Sequence, residues 1–319
     1  MQISAITPLP DFRRRIRMEN KPFLKPRTVS AMKDFVCVLP ALVFIVIFTY
    51  YPICKLIQIS FTDWNLLNDR WNYVGLKNWT WLFNGSGTKH LLNSLKVTIL
   101  YSIGELAITL IGGLMLALVF NRLNKTFSFM RAVVFMPKYV AMSSAAVVFL
   151  WILNTDNGIL NYLLKLVGLP AVDWLGNRNT ALISVLMLTG WRAIGYGMMI
   201  YLSAMIGISK DYYEAASLDG ATAVQSFWKI TIPMLSPTTL FLFVTTFLSS
   251  MKVFQSVDIL TKGGPYRSTE VFVYKIYLYA MEDFRMDRAS VIAIAFFVLL
   301  LIITAATFKV SNSSVHYDS

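Results

Sequence analysis

Long apolar runs separated by polar loops set the pattern of this chain, over residues 35–58, 95–120, 132–153, 181–206, 238–257 and 289–308. A helix rises about 1.5 Å per residue, so roughly 20 apolar residues carry it across the hydrocarbon of a bilayer. Each run meets that length. Strands of a membrane barrel would be about 10 residues long and would alternate in polarity, which these runs do not. The pattern predicts an all-α membrane protein with six transmembrane helices.

The loops carry their own signals. Trp64, Trp71, Trp79 and Trp81 crowd the segment between the first two runs, as suits a membrane interface. Residues 159–167 read as a short amphipathic helix ended by Gly168 and Pro170, and "TFSFMRAVVFMPKYV" as an interfacial stretch before Pro137 bends the chain into the third span. Residues 208–237 form a mostly polar insert between the fourth and fifth runs. Asp211 with Glu214 has the form of a capping box, which predicts a helix over 212–218. Gly220 breaks it, and Thr222 with Gln225 starts a second helix that lasts until Pro233 and Pro237. Tyr212, Ala215, Ala216 and Asp219 share one face of the first helix. The two alanines leave room for another protein to come close, with Tyr212 as an anchor. A connecting loop packed under its own bundle fits the same periodicity.

Composition agrees with a membrane protein: 56% of the 319 residues are hydrophobic, 14% are charged, and the mean hydropathy is +0.58. Much of the net charge of +12 comes from Arg13, Arg14, Arg15, Arg17, Lys21, Lys25, Arg27 and Lys33. Basic residues beside a first span predict a cytoplasmic N-terminus, and six spans then put the C-terminus on the same side. The remaining loops bias the orientation little, so it rests on the tail. A juxtamembrane location ties the charge to anionic lipid and topology and argues against a nucleic-acid partner. The expected organisation is a flexible basic tail over 1–33, a membrane domain over 34–309 containing the insert at 208–237, and a short C-terminal tail over 310–319. With no apolar core in the first 30 residues, the first span itself is expected to direct insertion rather than a cleaved signal.

Enzyme chemistry finds no foothold. A phosphate-binding loop needs G-x-x-x-x-G-K-[ST], and "GSGTK" at 85–89 has the wrong spacing. No nucleophile, base and orienting acid come together, and His90 and His316 in separate loops offer no metal site. Cys37 and Cys54 lie about 25 Å apart along one helix and cannot pair.

Charges inside the apolar runs are costly unless paired or wet. Glu105 and Arg192 fall at similar depths of the second and fourth runs, which predicts that they pair or share a polar cavity; holding two helices together is as good a reading as a role in passage. Lys55, Lys96 and Lys252 are expected to snorkel toward the outer ends of their spans, and Lys138 toward an inner end. Trp191, Arg192, Tyr196, Ser249 and Gln255 are candidate pathway residues, although such side chains are also common helix-packing material.

Beyond these patterns, Glu214-Ala215-Ala216, three residues, Gly220, nine residues, Ile230, one residue, Ile232-Pro233 resembles the EAA loop of permease subunits in bacterial ATP-binding-cassette importers. That family usually has Leu where Ile232 stands. Asp219, Gly220, Ala221, Phe227 and Pro237 resemble the carbohydrate-uptake branch, as do "LPALVFIVIFTYYPICKLIQISFTDWNLL" and "FQSVDILTKGGPYRSTEVFVYKIYLYA". The resemblance implies the type I importer permease fold in the bacterial plasma membrane. It also implies a coupling helix, carried by Tyr212, Glu214, Ala215, Ala216, Asp219 and Gly220, that docks on a cytoplasmic ATPase. Partners implied with it are that ATPase, which would hold ATP and Mg, a second permease subunit and an external solute-binding protein. The implied cargo is a sugar or oligosaccharide, with a glycerol phosphate as an alternative. An ion-coupled secondary transporter would need more deep carboxylates than Glu105 alone, and a receptor or scaffold would differ in what binds residues 212–225.

Overall fold

The computed structural model describes residues 27–314, apart from Asp69 and Leu123. Most of the expected N-terminal tail, including Arg13 to Lys25, lies outside the described residues, as do residues 315–319 with His316. Apart from one isolated bridge between Thr62 and Tyr73, the described residues are helices and connecting loops. In chain order the helices are α1 (Phe35–Ser60), α2 (Lys77–Asn84), α3 (Gly87–Phe120), α4 (Lys125–Tyr139), α5 (Met142–Ile152), α6 (Ile159–Leu166) and α7 (Ala181–Ile206). The insert holds α8 (Lys210–Leu218) and α9 (Ala223–Met234), followed by α10 (Ser236–Met251), α11 (Gln255–Leu260), α12 (Phe272–Tyr277) and α13 (Met286–Ser314).

Four stretches are long and apolar enough to cross a membrane as single helices: Phe35–Ser60, Gly87–Phe120, Ala181–Ile206 and Met286–Thr307. The bend expected at Pro137 falls inside the run at 132–153, and the interruption expected at Pro233 and Pro237 falls just before the run at 238–257. α4 meets α5 at 102°, and α9 meets α10 at 58°. Proline explains both breaks, because it lacks an N–H and its ring clashes with the preceding turn. Pro137 opens the first, while Pro233 and Pro237 flank the second. Pro52 is accommodated within α1 without a break, and the turn before it, Val46–Tyr50, widens to π geometry; a π turn, Phe227–Thr231, also leads into Pro233.

Contacts divide the chain into a unit ending at Lys55 and a unit running from Leu56. In the first, the apolar side chains of α1 are exposed, and the rings of Phe44 and Phe48 stack at 5.6 Å. The second holds three apolar clusters. One gathers Tyr101, Ala146, Leu188, Val257 and Tyr274, a second Leu82, Met251, Phe272 and Ile292, and a third Ala117, Met198, Tyr201 and Leu242. α7 reaches this packing through glycine. A Cβ on Gly197 would collide with the Thr109 carbonyl oxygen, and one on Gly113 would sit 2.8 Å from the Gly197 carbonyl carbon. Small residues let helix backbones approach where lipid gives no hydrophobic drive between helices.

Outside the spans, polar bonds hold the loops. Glu270 is buried against Lys275 (3.5 Å) and accepts from Ser94 (3.1 Å), while Thr98 accepts from the Phe272 backbone N–H at 2.8 Å. Together they tie the segment after α11 to α3. The Asn72 backbone N–H donates to Asp63 at 2.6 Å and holds its carboxyl below the ordinary carboxylate range. α2 carries Trp79 and Trp81 into contact with the second cluster, and Arg288 lies 4.6 Å over the Trp81 ring.

Candidate functional site

The polar insert is a helix, a glycine elbow and a second helix. α8 begins two residues earlier than expected: the Ser209 hydroxyl, not Asp211, caps it by accepting from the Asp211 N–H at 3.3 Å. Ser209 has the extended backbone an N-cap requires, whereas Asp211 is already helical. Gly220 has φ +75° and ends the helix with paired bonds, Gly220 N–H to the Ser217 carbonyl (3.1 Å) and Ala221 N–H to the Ala216 carbonyl (2.9 Å). This is a Schellman motif, whose left-handed residue favours glycine. Thr222 and Gln225 then cap α9 reciprocally, with the Gln225 side chain accepting from Thr222 N–H at 2.8 Å and the Thr222 hydroxyl accepting from Gln225 N–H at 3.3 Å.

One residue ties α8 inward. Tyr213 packs against the third cluster, and its hydroxyl lies 3.0 Å from the Thr231 hydroxyl on α9. Its neighbours Tyr212, Glu214, Ala215, Asp219 and Gly220 are exposed, Ala216 is half-buried, and α8 contains no buried residue. The insert therefore presents its face outward. Ala216, Asp219, Gly220 and Gln225 line a groove of about 410 Å³ inside the elbow. Leu218 and Trp228, which sequence reasoning passed over, are 89% and 63% exposed beside it. An isolated leucine in an otherwise polar helix was the available signal.

A second site lies among the spans. Glu105 on α3 and Arg192 on α7 face one cavity of about 370 Å³, with Tyr101, Lys138, Lys252 and Gln255 also in its wall. The break between α4 and α5 opens onto it, and so does the far end of α10, where the chain passes into α11. Arg192 bonds to two carbonyls at the break between α4 and α5: Nε donates to Pro137 (3.4 Å), whose oxygen also accepts from the Val140 N–H (3.2 Å), and Nη2 donates to Lys138 (3.2 Å). Its Nη1 meets only the Met142 sulfur, at 3.5 Å. The junction between α10 and α11, separate from the α9–α10 bend, contributes Ser249, Lys252 and Gln255. Irregular backbone at membrane depth is tolerated where it lines such a cavity.

Glu105 and Arg192 thus share a cavity without forming an ion pair among the described residues; Arg192 is held by carbonyls, and Glu105 Oε2 is buried with no hydrogen-bond partner. Ser249 and Gln255 join them. Trp191 and Tyr196 stand apart from that wall: Trp191 packs its ring 5.6 Å from Phe149, and Tyr196 lies 4.7 Å under the Lys138 ammonium. Lys138 and Lys252, expected at opposite span ends, both turn into the cavity, because each sits at a helix break.

The profile of the binding-protein-dependent transport system inner membrane component family matches residues 108–310. A probable ABC transporter permease protein, YurN of Bacillus subtilis (strain 168), is 34% identical over 85% of this chain and 92% of its own length. The sn-glycerol-3-phosphate transport system permease protein UgpA of Agrobacterium fabrum is 30% identical over 89% of this chain and 96% of its own. Among solved structures, a chain of a bacterial ABC transporter involved in import of the acidic polysaccharide alginate superposes with a TM-score of 0.79 at 23% identity, covering 91% of this chain and 100% of that one. A chain of an alginate transporter in complex with an alginate pentasaccharide-bound periplasmic protein gives 0.77 at 24%, covering 88% and 96%.

Proposed function

The chain belongs to the binding-protein-dependent transport system inner membrane component family, and we propose on that premise that it forms half of the pathway of an ATP-driven importer for a sugar or related polyhydroxylated solute. It is a multi-pass inner-membrane permease. In this reading each bent helix pair counts as one span, giving six, with both termini and the insert in the cytoplasm. A second permease subunit completes the pathway, a solute-binding protein delivers cargo outside, and a cytoplasmic ATPase holds ATP and Mg.

The single observation that carries the coupling role is the outward-facing elbow. α8 has no buried residue, yet it is continuous in sequence with α7 on one side and, through α9, with α10 on the other. A force applied to α8 reaches both. Ala215 and Ala216 let an ATPase surface come close, Tyr212 and Leu218 offer apolar area, and Glu214 offers a charge to a basic partner. Movement of the docked ATPase halves then shifts the permease between inward-open and outward-open states, to the extent that the nucleotide states bind α8 differently. Helix breaks are shared with ion-coupled secondary transporters, but Glu105 is the only carboxylate in the cavity wall, which argues against ion coupling here.

The test is a photoreactive residue at Leu218 or Ala216 in native membranes, with the adduct identified by mass spectrometry. An ATPase subunit carrying a phosphate-binding loop is the expected partner. If both positions stay uncrosslinked while transport persists, the coupling assignment fails.

A further inference from the structure

The wall of the cavity between α3, α7 and the α10–α11 junction is unbalanced in charge. Arg192, Lys138 and Lys252 line it against the single carboxylate of Glu105. No carboxylate forms an ion pair with any of those three cations among the described residues. Arg192 rests on neutral carbonyls, and Lys138 on the face of Tyr196. Neither contact cancels a charge. Uncompensated charge at membrane depth is costly, and low-dielectric walls focus its field on whatever enters.

We propose that this cavity takes a polyhydroxylated anion, a solute whose phosphate or carboxylate group is held by Arg192 Nη1 with Lys138 and Lys252, and that these residues select it over neutral sugars. The proposal rests on the importer reading and deepens it to a substrate class. Arg192 is already aimed by its two carbonyl bonds, which leave Nη1 with only a thioether as a weak acceptor. Glu105 Oε2, buried and without a partner, supplies an acceptor for a sugar hydroxyl, with Gln255 beside it in the wall. A volume of about 370 Å³ is the size of a small-molecule site. The anion would therefore meet the cations while its hydroxyls meet Glu105 and Gln255.

The experiment uses the complete importer, with both permeases, ATPase and binding protein, in proteoliposomes loaded with ATP. Uptake of sn-glycerol 3-phosphate and trigalacturonate is measured against maltotriose and raffinose. ATP-dependent preference for either anion supports the proposal, and which anion is preferred separates a phosphate from a carboxylate group. Because the binding protein also selects cargo, the deciding readout is the anion-to-neutral ratio in variants of this chain. Lys252→Gln and Arg192→Gln should each lower that ratio about tenfold, the loss of one charge-assisted contact. Lys252 is exposed, so its variant remains informative if Arg192→Gln fails to assemble. Neutral sugars taken up as well as the anions, or an unchanged ratio in Lys252→Gln, would overturn the proposal while leaving the importer reading intact. No ATP-dependent uptake of any of the four solutes would instead refute the importer reading beneath it.

Discussion

Replacing Gly220 tests whether the elbow's conformation is what couples the ATPase to the spans. Gly220 sits at φ +75°, and nothing lies within 4 Å of where a Cβ would stand. Substitution therefore meets no steric opposition inside this chain, and its cost is the left-handed backbone alone, about 1–2 kcal/mol for an ordinary L-residue. At about 1.4 kcal/mol per factor of ten, Gly220→Ala should shift the equilibrium constant away from the paired-bond elbow roughly 5- to 30-fold. ATP-driven uptake should fall in proportion, while membrane insertion and the thermal midpoint of the purified complex change little, because the residue is exposed. Asparagine tolerates the left-handed region, so Gly220→Asn should keep most of the activity although its side chain is larger than alanine's. That ordering separates two causes. If close approach of the ATPase were what demanded glycine, asparagine would be worse than alanine. The reasoning is refuted if Gly220→Ala transports at the wild-type rate, or if Gly220→Asn loses more than Gly220→Ala.

Two further substitutions probe the packing that supports the site. Gly197→Val should prevent α7 from seating against α3, because its Cβ would strike the Thr109 carbonyl; loss of folded protein on size-exclusion chromatography is expected, and a monodisperse complex at normal yield would count against the close-packing account. Glu270→Gln leaves Lys275, with a side chain only 7% exposed, without its carboxylate, a cost of about 3–5 kcal/mol. The thermal midpoint should drop, and adding Lys275→Met should restore much of it; a double variant no better than the single would show that Glu270 acts through Ser94 instead.

The local features of this protein were legible because their causes are local. Apolar runs of spanning length, the stop at Gly220, the reciprocal cap of Thr222 and Gln225, and the short helix α6 all depend on residues within a few positions of one another. The EAA-like spacing around Gly220 belongs to the same category, and the family it suggested is the family whose profile matches. Where two local signals compete, sequence is a weaker guide: Ser209 and Asp211 are both good caps, and the backbone at Ser209 chose between them. Proline positions were visible, but how far each bends its helix was not, since a π turn or a neighbouring side chain can absorb the missing bond.

The cavity was decided by tertiary structure. Glu105 and Arg192 could be matched in depth, but only the packed bundle brings them together with Lys138 and Lys252, residues from two different helix breaks. Hydropathy assigns a lysine near the end of an apolar run to the membrane surface, because it treats the run as one straight helix. When the helix breaks, the side chain at the break faces the opening instead. Arg192 shows the same logic in reverse: the Pro137 and Lys138 carbonyls that hold its guanidinium lie where α4 turns into α5, an angle that no sequence pattern supplies. Sequence determined that this chain crosses a membrane and carries a helix–glycine–helix elbow between two apolar runs; the way the interrupted helices pack decided which charges face one cavity.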